Sequence, residues 1–317
     1  MKDLELKELA AKLRKSLGIV HKQDIQIPSQ ILGLTKDSTI AFGDDCAAIP
    51  DSDGYLLLAA EGIWDVLVAS DPWFAGWCAV MVNVSDIAAM GGRAIAVVDT
   101  IWTEDREKAT PLLDGMKAAA QAFKVPIVGG HTNLKSAYNA LSVAILGRAQ
   151  KLISSFTAQP GDLLIVAIDL QGTMHPQFPF WNAATQADPL RLQQNLQILP
   201  YLAENGLCYA GKDISMGGIV GTLLMLIEAS HCGAILDLDQ VFCPPDICEE
   251  TWLSCFPSYG FLLSIRPEHI DTVQEKFAQQ NITCAVVGEM TQGSELILQS
   301  QGKTHLFWNW QLNKLIG

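Results

Sequence analysis

Four acidic sites in this 317-residue chain stand where a strand is expected to turn or a helix to begin, each flanked by glycine, serine or alanine. They are Asp44 and Asp45 in FGDDCA, Glu61 in AAEGIW, Asp86 in NVSDIAAMGG and Asp213 in GKDISMGG. Small neighbours let backbone and ligand approach closely, and carboxylates gathered by a fold repel one another unless divalent cations neutralise them. Mg2+ takes carboxylates together with phosphate oxygens and water, so such a cluster implies a nucleotide. Each acid taken singly has a plainer reading, because aspartate at a turn or helix start commonly serves as a cap. For Asp86 three accounts stand: a core partner, a cap with Ser85 on a helix starting near Ile87, or a metal ion.

The bulk composition narrows the partners. The formal net charge is −13, and no lysine or arginine cluster lies beyond the amphipathic start LKELAAKLRKSLGIVHK, so nucleic acid is excluded as a partner. An acidic protein still binds a phosphorylated small molecule when metal ions or backbone amides supply positive charge. Hydrophobic residues make up 49% and charged residues 17%, which describes a packed chain and not a disordered one. The apolar runs fall short of the roughly 20 residues a membrane span requires, so a cytoplasmic protein without membrane contact is expected. The eight cysteines form no CxxC pair and have few histidines near them, and read as reduced, mostly buried thiols.

The elements that must position the acids alternate between strand and helix. Residues 3–17 set Leu4, Leu6, Leu9, Leu13 and Leu17 among charges, as an amphipathic helix does, with Leu6 off the main stripe. STIAFGDDCAAIP and YLLLAAEGIW read as strands joined by the turn DSDG. A helix is expected from about Trp73 to Met90, a buried strand at GRAIAVVDTIW, a helix from about Glu104 to Phe123, and strands at VPIVGGHTN and ALSVAILGRA. QPGD then marks a turn, and LLIVAIDL opens a second series: a helix at about 189–205, the loop CYAGKDISMGG, the helix IVGTLLMLIEAS and strands at GAILDL, GFLLSI, TCAVVGEM and ELILQS. The boundary is placed at about 152–158, giving domains 1–155 and 156–317.

GDDCAAI, NVSDIAAMGG, GGHT, GRA, QPGD and KDISMGG, in this order and spacing, resemble the AIR synthase (PurM-like) superfamily, which includes thiamine-monophosphate kinase, formylglycinamidine synthase and selenophosphate synthetase. The resemblance covers about residues 38–300. It implies a two-domain α/β fold whose N-terminal domain forms a β-barrel with its twin in a homodimer, followed by a C-terminal α/β sandwich domain. It also implies ATP held with Mg2+, and phosphorylation or activation of a small-molecule acceptor. Residue by residue, Asp45, Asp86 and Asp213 fall on magnesium ligands, Ser215 on a phosphate-contacting serine and Arg148 on an ATP-contacting arginine. The same motifs place Gly43, Asp44, Asn83, Gly129, Gly130, His131, Thr132 and Lys212 on the nucleotide side. Lys212 could neutralise a transferred phosphoryl group, although an exposed lysine is the commoner outcome.

The departures from the family pattern are equally specific. Where the kinase carries a Ser-Thr-Asp metal site this chain has Ala59, Ala60 and Glu61, so the carboxylate is kept one methylene longer. His131 replaces an aspartate, Met216 replaces the second aspartate of an Asp-Leu-Ser-Asp run, and FPSYGFLL lacks the acids of the thiamine site. These changes speak against thiamine monophosphate as acceptor and would permit a nucleotide-binding or assembly protein that has lost turnover. Cys46, beside Asp44 and Asp45, is poorly placed to be a thiolate nucleophile. MHPQFPFWN reads either as a lid stacking on a flat ring or as an aromatic plug.

Overall fold

The computed structural model describes residues 3–34 and 40–316, with the backbone alone for Asp3 and Leu4. The Leu4 side chain, the expected strand start at Ser38 and Thr39, and Gly317 lie outside the described residues. Two compact units form, both discontinuous in sequence. One holds Asp45–Leu152 and Ala184–Glu204 and carries a five-stranded sheet. The other holds the chain up to Asp44, Ile153–Ala183 and Asn205 onward, and carries a seven-stranded sheet. The compact units interleave along the chain, changing at 44/45, 152/153, 183/184 and 204/205, where the sequence by itself suggests a single boundary between 1–155 and 156–317.

Burial explains the first of these crossings. The N-terminal helices are α1 (Asp3–Leu13), α2 (Leu17–Lys22) and α3 (Gln26–Leu32). Leu6, Leu9, Ala10 and Leu13 of α1, with Ile19 of α2, join the core of the seven-stranded unit. Leu6, expected off the stripe, is 1% exposed, while Leu17 begins a new helix and is exposed.

In the five-stranded unit, β1 (Ala47–Asp51) and β2 (Gly54–Gly62) pair antiparallel around a two-residue turn, with Asp51 opposite Gly54. The first strand starts later than the sequence suggests, so Asp44 and Asp45 sit in the bend before it. After α4 (Asp65–Ser70) comes α5 (Pro72–Ala89), close to the expected limits. Asp71 caps it by accepting from Phe74 N at 3.1 Å, and Pro72 suits the first helical turn. Because α5 is apolar nearly all round, it is a buried helix. Then follow β3 (Arg93–Trp102), α6 (Arg106–Phe123), β4 (Ile127–Asn133) and β5 (Ala140–Ala149).

The sheet order is β1-β2-β5-β3-β4, with β3 and β4 parallel and α6 as their crossover. Helix α5 packs on β2, β5 and β3, and α6 packs on α5. Leu57, Val97, Ile101, Leu141, Val143 and Ile145 fill the covered face. The opposite face carries Leu58, Ile95, Val98 and Leu146, which are exposed. The strand GRAIAVVDTIW is thus buried on one face only, and among the described residues the sheet is open, with β1 and β4 as edges.

The seven-stranded unit begins with β6 (Leu163–Ile168), then β7 (Thr173–Met174) and β8 (Phe180–Asn182). The helix expected over 189–205 is two helices, α7 (Pro189–Asn195) and α8 (Ile198–Glu204), and both belong to the five-stranded unit. Gln193 Nε2 donates to Ala122 O at 2.9 Å, and Arg93 donates to Gln197 Oε1 at 2.9 Å and to the Glu204 carboxylate. The chain then forms β9 (Ala210–Asp213), α9 (Gly218–Ser230), β10 (Gly233–Asp237), α10 (Glu249–Leu253), β11 (Phe256–Pro257) and β12 (Gly260–Ile265). It ends with α11 (Ile270–Ala278), β13 (Thr283–Thr291), β14 (Glu295–Ser300) and β15 (Lys303–Asn309). The sheet order is β15-β14-β10-β13-β6-β12-β9, and β7, β8 and β11 make a separate small sheet. Every residue of β12 is buried, as its continuous apolar run GFLLSI implies.

Candidate functional site

In the five-stranded unit the chemistry starts on α5. Asn83 is fully buried; its Nδ2 donates to Ala79 O at 2.8 Å, and its Oδ1 has no hydrogen-bond partner. Asp86 follows three residues later, hence on the same helix face, and is 6% exposed. It lies in the last turn of α5, whose N-cap is Asp71, so the capping account of Asp86 is corrected. A carboxylate there is opposed twice, by burial and by the negative end of the helix dipole.

The sheet adds a row of residues in register: Glu61 opposite Val143, Val143 opposite Asp99, and Asp99 opposite Gly130. Glu61 is exposed. Asp99 is part-buried, and burial pushes its carboxyl above the usual range. A Cβ on Gly130 would stand 2.4 Å from Asp99 O and 2.7 Å from Asp99 Oδ2, so only glycine fits there. Gly129, Gly130, His131 and Thr132 are all exposed on β4, and the His131 ring centroid lies 6.3 Å from that of Trp102.

Arg148, expected to face the nucleotide, is committed elsewhere. Its guanidinium donates from Nη1 to Asp51 and from Nη2 to Asp53 Oδ1 at 2.8 Å, clamping the β1–β2 turn. The hydrogen bond to Asp51 raises its already high pKa.

In the seven-stranded unit the network centres on Asp44. Its carboxylate accepts from Ser154 Oγ at 2.7 Å, from Ser155 N at 3.1 Å and from Ser155 Oγ. Ser155 Oγ accepts in turn from Lys212 Nζ at 3.1 Å. Lys212 and Asp213, expected in a loop, lie on the buried strand β9 and are 4% and 6% exposed, which overturns the exposed-lysine reading. A buried lysine requires an anionic neighbourhood, and Asp44 supplies it through Ser155. Past β9, the Ser215 N–H donates to Thr222 Oγ1 at 3.3 Å, while Ser215 Oγ is buried without a hydrogen-bond partner. A Cβ on Gly18 would fall 1.9 Å from Met216 O, so α2 lies directly on this loop. Gly43 precedes Asp44 in the bend.

The structure thus joins Asn83 with Asp86, Asp99 with Gly130, and Asp44 with Lys212. It does not bring the expected metal ligands into a ready-made cage: among the described residues no three His, Cys, Asp or Glu are grouped to hold a metal ion. Asp45 stays part-exposed in the bend before β1, and Cys46 is buried. In the aromatic segment Phe180 and Trp181 are buried, each 6% exposed, whereas His175 and Phe178 are part-exposed. Trp181 Nε1 donates to Asp169 O at 2.8 Å and its ring meets Trp252 edge to face.

Sequence reasoning missed Ser154, Ser155 and Asp99. The signal for Asp99 was present, since AVVDTIW isolates one carboxylate among apolar residues just as the Asp86 segment does. Nothing local marks Ser155, whose role depends on a lysine 57 residues away.

Comparison with known proteins agrees with this geometry at the level of the fold. The sequence profile described as AIR synthase related protein, N-terminal domain, matches residues 43–149, and the corresponding C-terminal domain profile matches residues 159–301. An uncharacterised protein of Synechocystis sp. is 53% identical over 98% of both chains, and one of Methanocaldococcus jannaschii is 33% identical over 99% of this chain and all of the other. Among solved structures, T. maritima PurL complexed with ATP superposes with a TM-score of 0.74 at 18% identity, covering 98% of this chain and 55% of that one. AaThiL complexed with AMPPCP and TMP superposes with a TM-score of 0.68 at 18% identity, covering 90% and 96%. The chain spans about half the length of the PurL chains it matches.

Proposed function

Since the chain belongs to the AIR synthase-related family, we propose that it is a magnesium-dependent enzyme that uses ATP to phosphorylate or activate a small-molecule acceptor. The observation that carries the reading is the placement of Asn83 and Asp86 on one face of α5: two oxygen-bearing side chains buried in an apolar helix, with Asn83 Oδ1 lacking a hydrogen-bond partner. Oxygen donors of this kind suit Mg2+.

In the five-stranded unit, Asp45, Asp86 and Glu61 are proposed as magnesium ligands, with Asn83 beside Asp86 on α5, and the Gly129–Thr132 stretch of β4 as a backbone approach to phosphate. In the seven-stranded unit, taken by itself, Asp213 is proposed as a metal ligand, Ser215 as a hydroxyl donor and Lys212 as a cation toward phosphate. Magnesium held by these residues would supply neutralisation and alignment of a triphosphate, which is most of what phosphoryl transfer needs. Lys212 is held in place by Ser155 and Asp44, so its charge is oriented before substrate arrives. Gly130 must remain glycine for β4 to lie flat against Asp99.

A second reading, a nucleotide-binding or assembly protein without turnover, is favoured by one observation: Arg148 is tied to Asp51 and Asp53. The homodimer belongs to the same proposal, supported by the exposed apolar face of Leu58, Ile95, Val98 and Leu146. A cytoplasmic setting agrees with eight cysteines held as thiols outside any disulfide.

Thermal unfolding with ATP and Mg2+ tests binding, and release of ADP or phosphate with a panel of small acceptors tests turnover. A rise in Tm with turnover supports the enzyme; a rise without turnover across the panel supports the second reading. No rise removes both.

A further inference from the structure

Six of the eight cysteines, Cys46, Cys78, Cys208, Cys232, Cys255 and Cys284, are spread along the two units, whereas part-buried Cys243 and exposed Cys248 share one short loop of the seven-stranded unit. The loop reads CPPDIC and is a β-turn: Ile247 N donates to Pro244 O at 3.1 Å, with Pro245 at the second turn position, where its fixed φ is favoured. A turn over 244–247 folds the flanking residues 243 and 248 back toward each other. The Cys243 thiol donates to Ile247 O at 3.3 Å, which is the carbonyl of the peptide bond leading into Cys248. Its sulfur therefore contacts the peptide unit that joins Ile247 to Cys248, the side of the turn from which a disulfide between the two would have to close.

The two thiols differ in the way a reactive pair requires. Cys248 is the exposed member, and its sulfur lies 2.9 Å from Thr251 Oγ1 at the entrance to α10. That hydrogen bond, then the Thr251 backbone N–H, lowers its pKa, whereas burial raises that of Cys243. Burial also lifts Cys208, Cys232, Cys255 and Cys284 to about 12. Cys248 thus carries thiolate character and access together, and Cys243 stands behind it as a resolving thiol.

We propose that Cys243 and Cys248 form a reversible thiol–disulfide pair that hydrogen peroxide closes. The Cys248 thiolate attacks a peroxide oxygen, the O–O bond breaks, an S–O bond forms, and the departing hydroxide takes a proton to leave as water. The Cys243 sulfur then attacks the Cys248 sulfur; the S–S bond forms, the S–O bond breaks, and the second hydroxide leaves as water with the Cys243 proton. Two thiols lose two electrons to one peroxide. The pair sits at the start of α10, whose far end touches the family motif at the start of α9: a Cβ on Gly218 would lie 2.3 Å from Leu253 O and 2.4 Å from Ser254 Cα. Closing the loop therefore acts on a helix that has no slack against the residues following Ser215. The inference stands apart from the nucleotide reading, because its readout is covalent.

The test uses the full chain with an equimolar amount of hydrogen peroxide, followed by alkylation, intact mass measurement and peptide mapping. Two of the eight alkylatable thiols are expected to disappear, with residues 243 and 248 found in one cross-linked peptide and dithiothreitol restoring both. Cys243→Ser is expected to stop at a sulfenic acid on Cys248 that dimedone traps, and Cys248→Ser to retain its remaining thiols. Unchanged melting of both variants confirms that folding is not the cause. A persistent sulfenic acid on Cys248 in the natural sequence, a link between two chains, or pairing of other cysteines overturns the proposal.

Discussion

Lys212 and Ser155 are joined by a 3.1 Å hydrogen bond from Nζ to Oγ, and both residues are buried. Ser155 also holds the Asp44 carboxylate with its hydroxyl and its backbone N–H, so one serine stands between a buried cation and its counter-ion. Ser155→Ala is expected to destabilise folding by about 1 to 3 kcal/mol, the range for leaving buried charged groups short of a hydrogen bond. Urea unfolding measures this, and a loss under about 0.5 kcal/mol, the level of an ordinary surface change, would refute the relay.

Asp86 gives a contrasting expectation. Its carboxyl is buried in the last turn of α5. Asp86→Asn is expected to keep a cooperative ligand-free melt while removing the stabilisation by ATP with Mg2+. Loss of folding in this variant would return Asp86 to a structural role.

Asp99 links stability to pH. Burial raises its pKa in the folded state, so the folded protein binds more protons than the unfolded chain between the ordinary value of 3.8 and the raised one. The stability this site allows is fully present below 3.8 and is lost as pH rises through the raised value. Asp99→Asn should therefore be more stable than the natural sequence at neutral pH, with the gap closing in acid. Denaturant midpoints from pH 3 to pH 7 check it, and a gap that widens in acid reverses the assignment.

The open face of the five-stranded sheet predicts association. Val98 sits at its centre, opposite Ala144 on β5 and Gly129 on β4, and is 42% exposed. Val98→Glu should halve the mass found by light scattering and leave the fold of the single chain intact. A natural sequence that sediments as one chain at micromolar concentration would remove the homodimer from the proposal.

Much of the site was legible because its determinants are local. The run from Trp73 to Met90 is apolar around its whole circumference, follows an aspartate and a proline, and could only be a buried helix; α5 follows within a residue at each end. The placement of Asp86 inside its last turn follows from that extent, which already argued against a cap at Ile87. The motifs around Asp45, Gly129, Gly130 and Ser215 were likewise readable as short strings, and they carried the family.

By itself, then, the sequence determined the alternating α/β elements, the apolar helix that carries Asn83 and Asp86, and the family to which the chain belongs. Only the tertiary structure decided that Lys212 is buried, that Arg148 clamps a turn, and that α1 and α7–α8 leave the halves of the sequence they belong to. The reason is reach: Arg148 meets Asp51 across 97 residues and Lys212 meets Ser155 across 57. Periodicity and capping encode neighbours three or four residues apart, whereas a buried charge takes whichever partner the packed chain delivers to it.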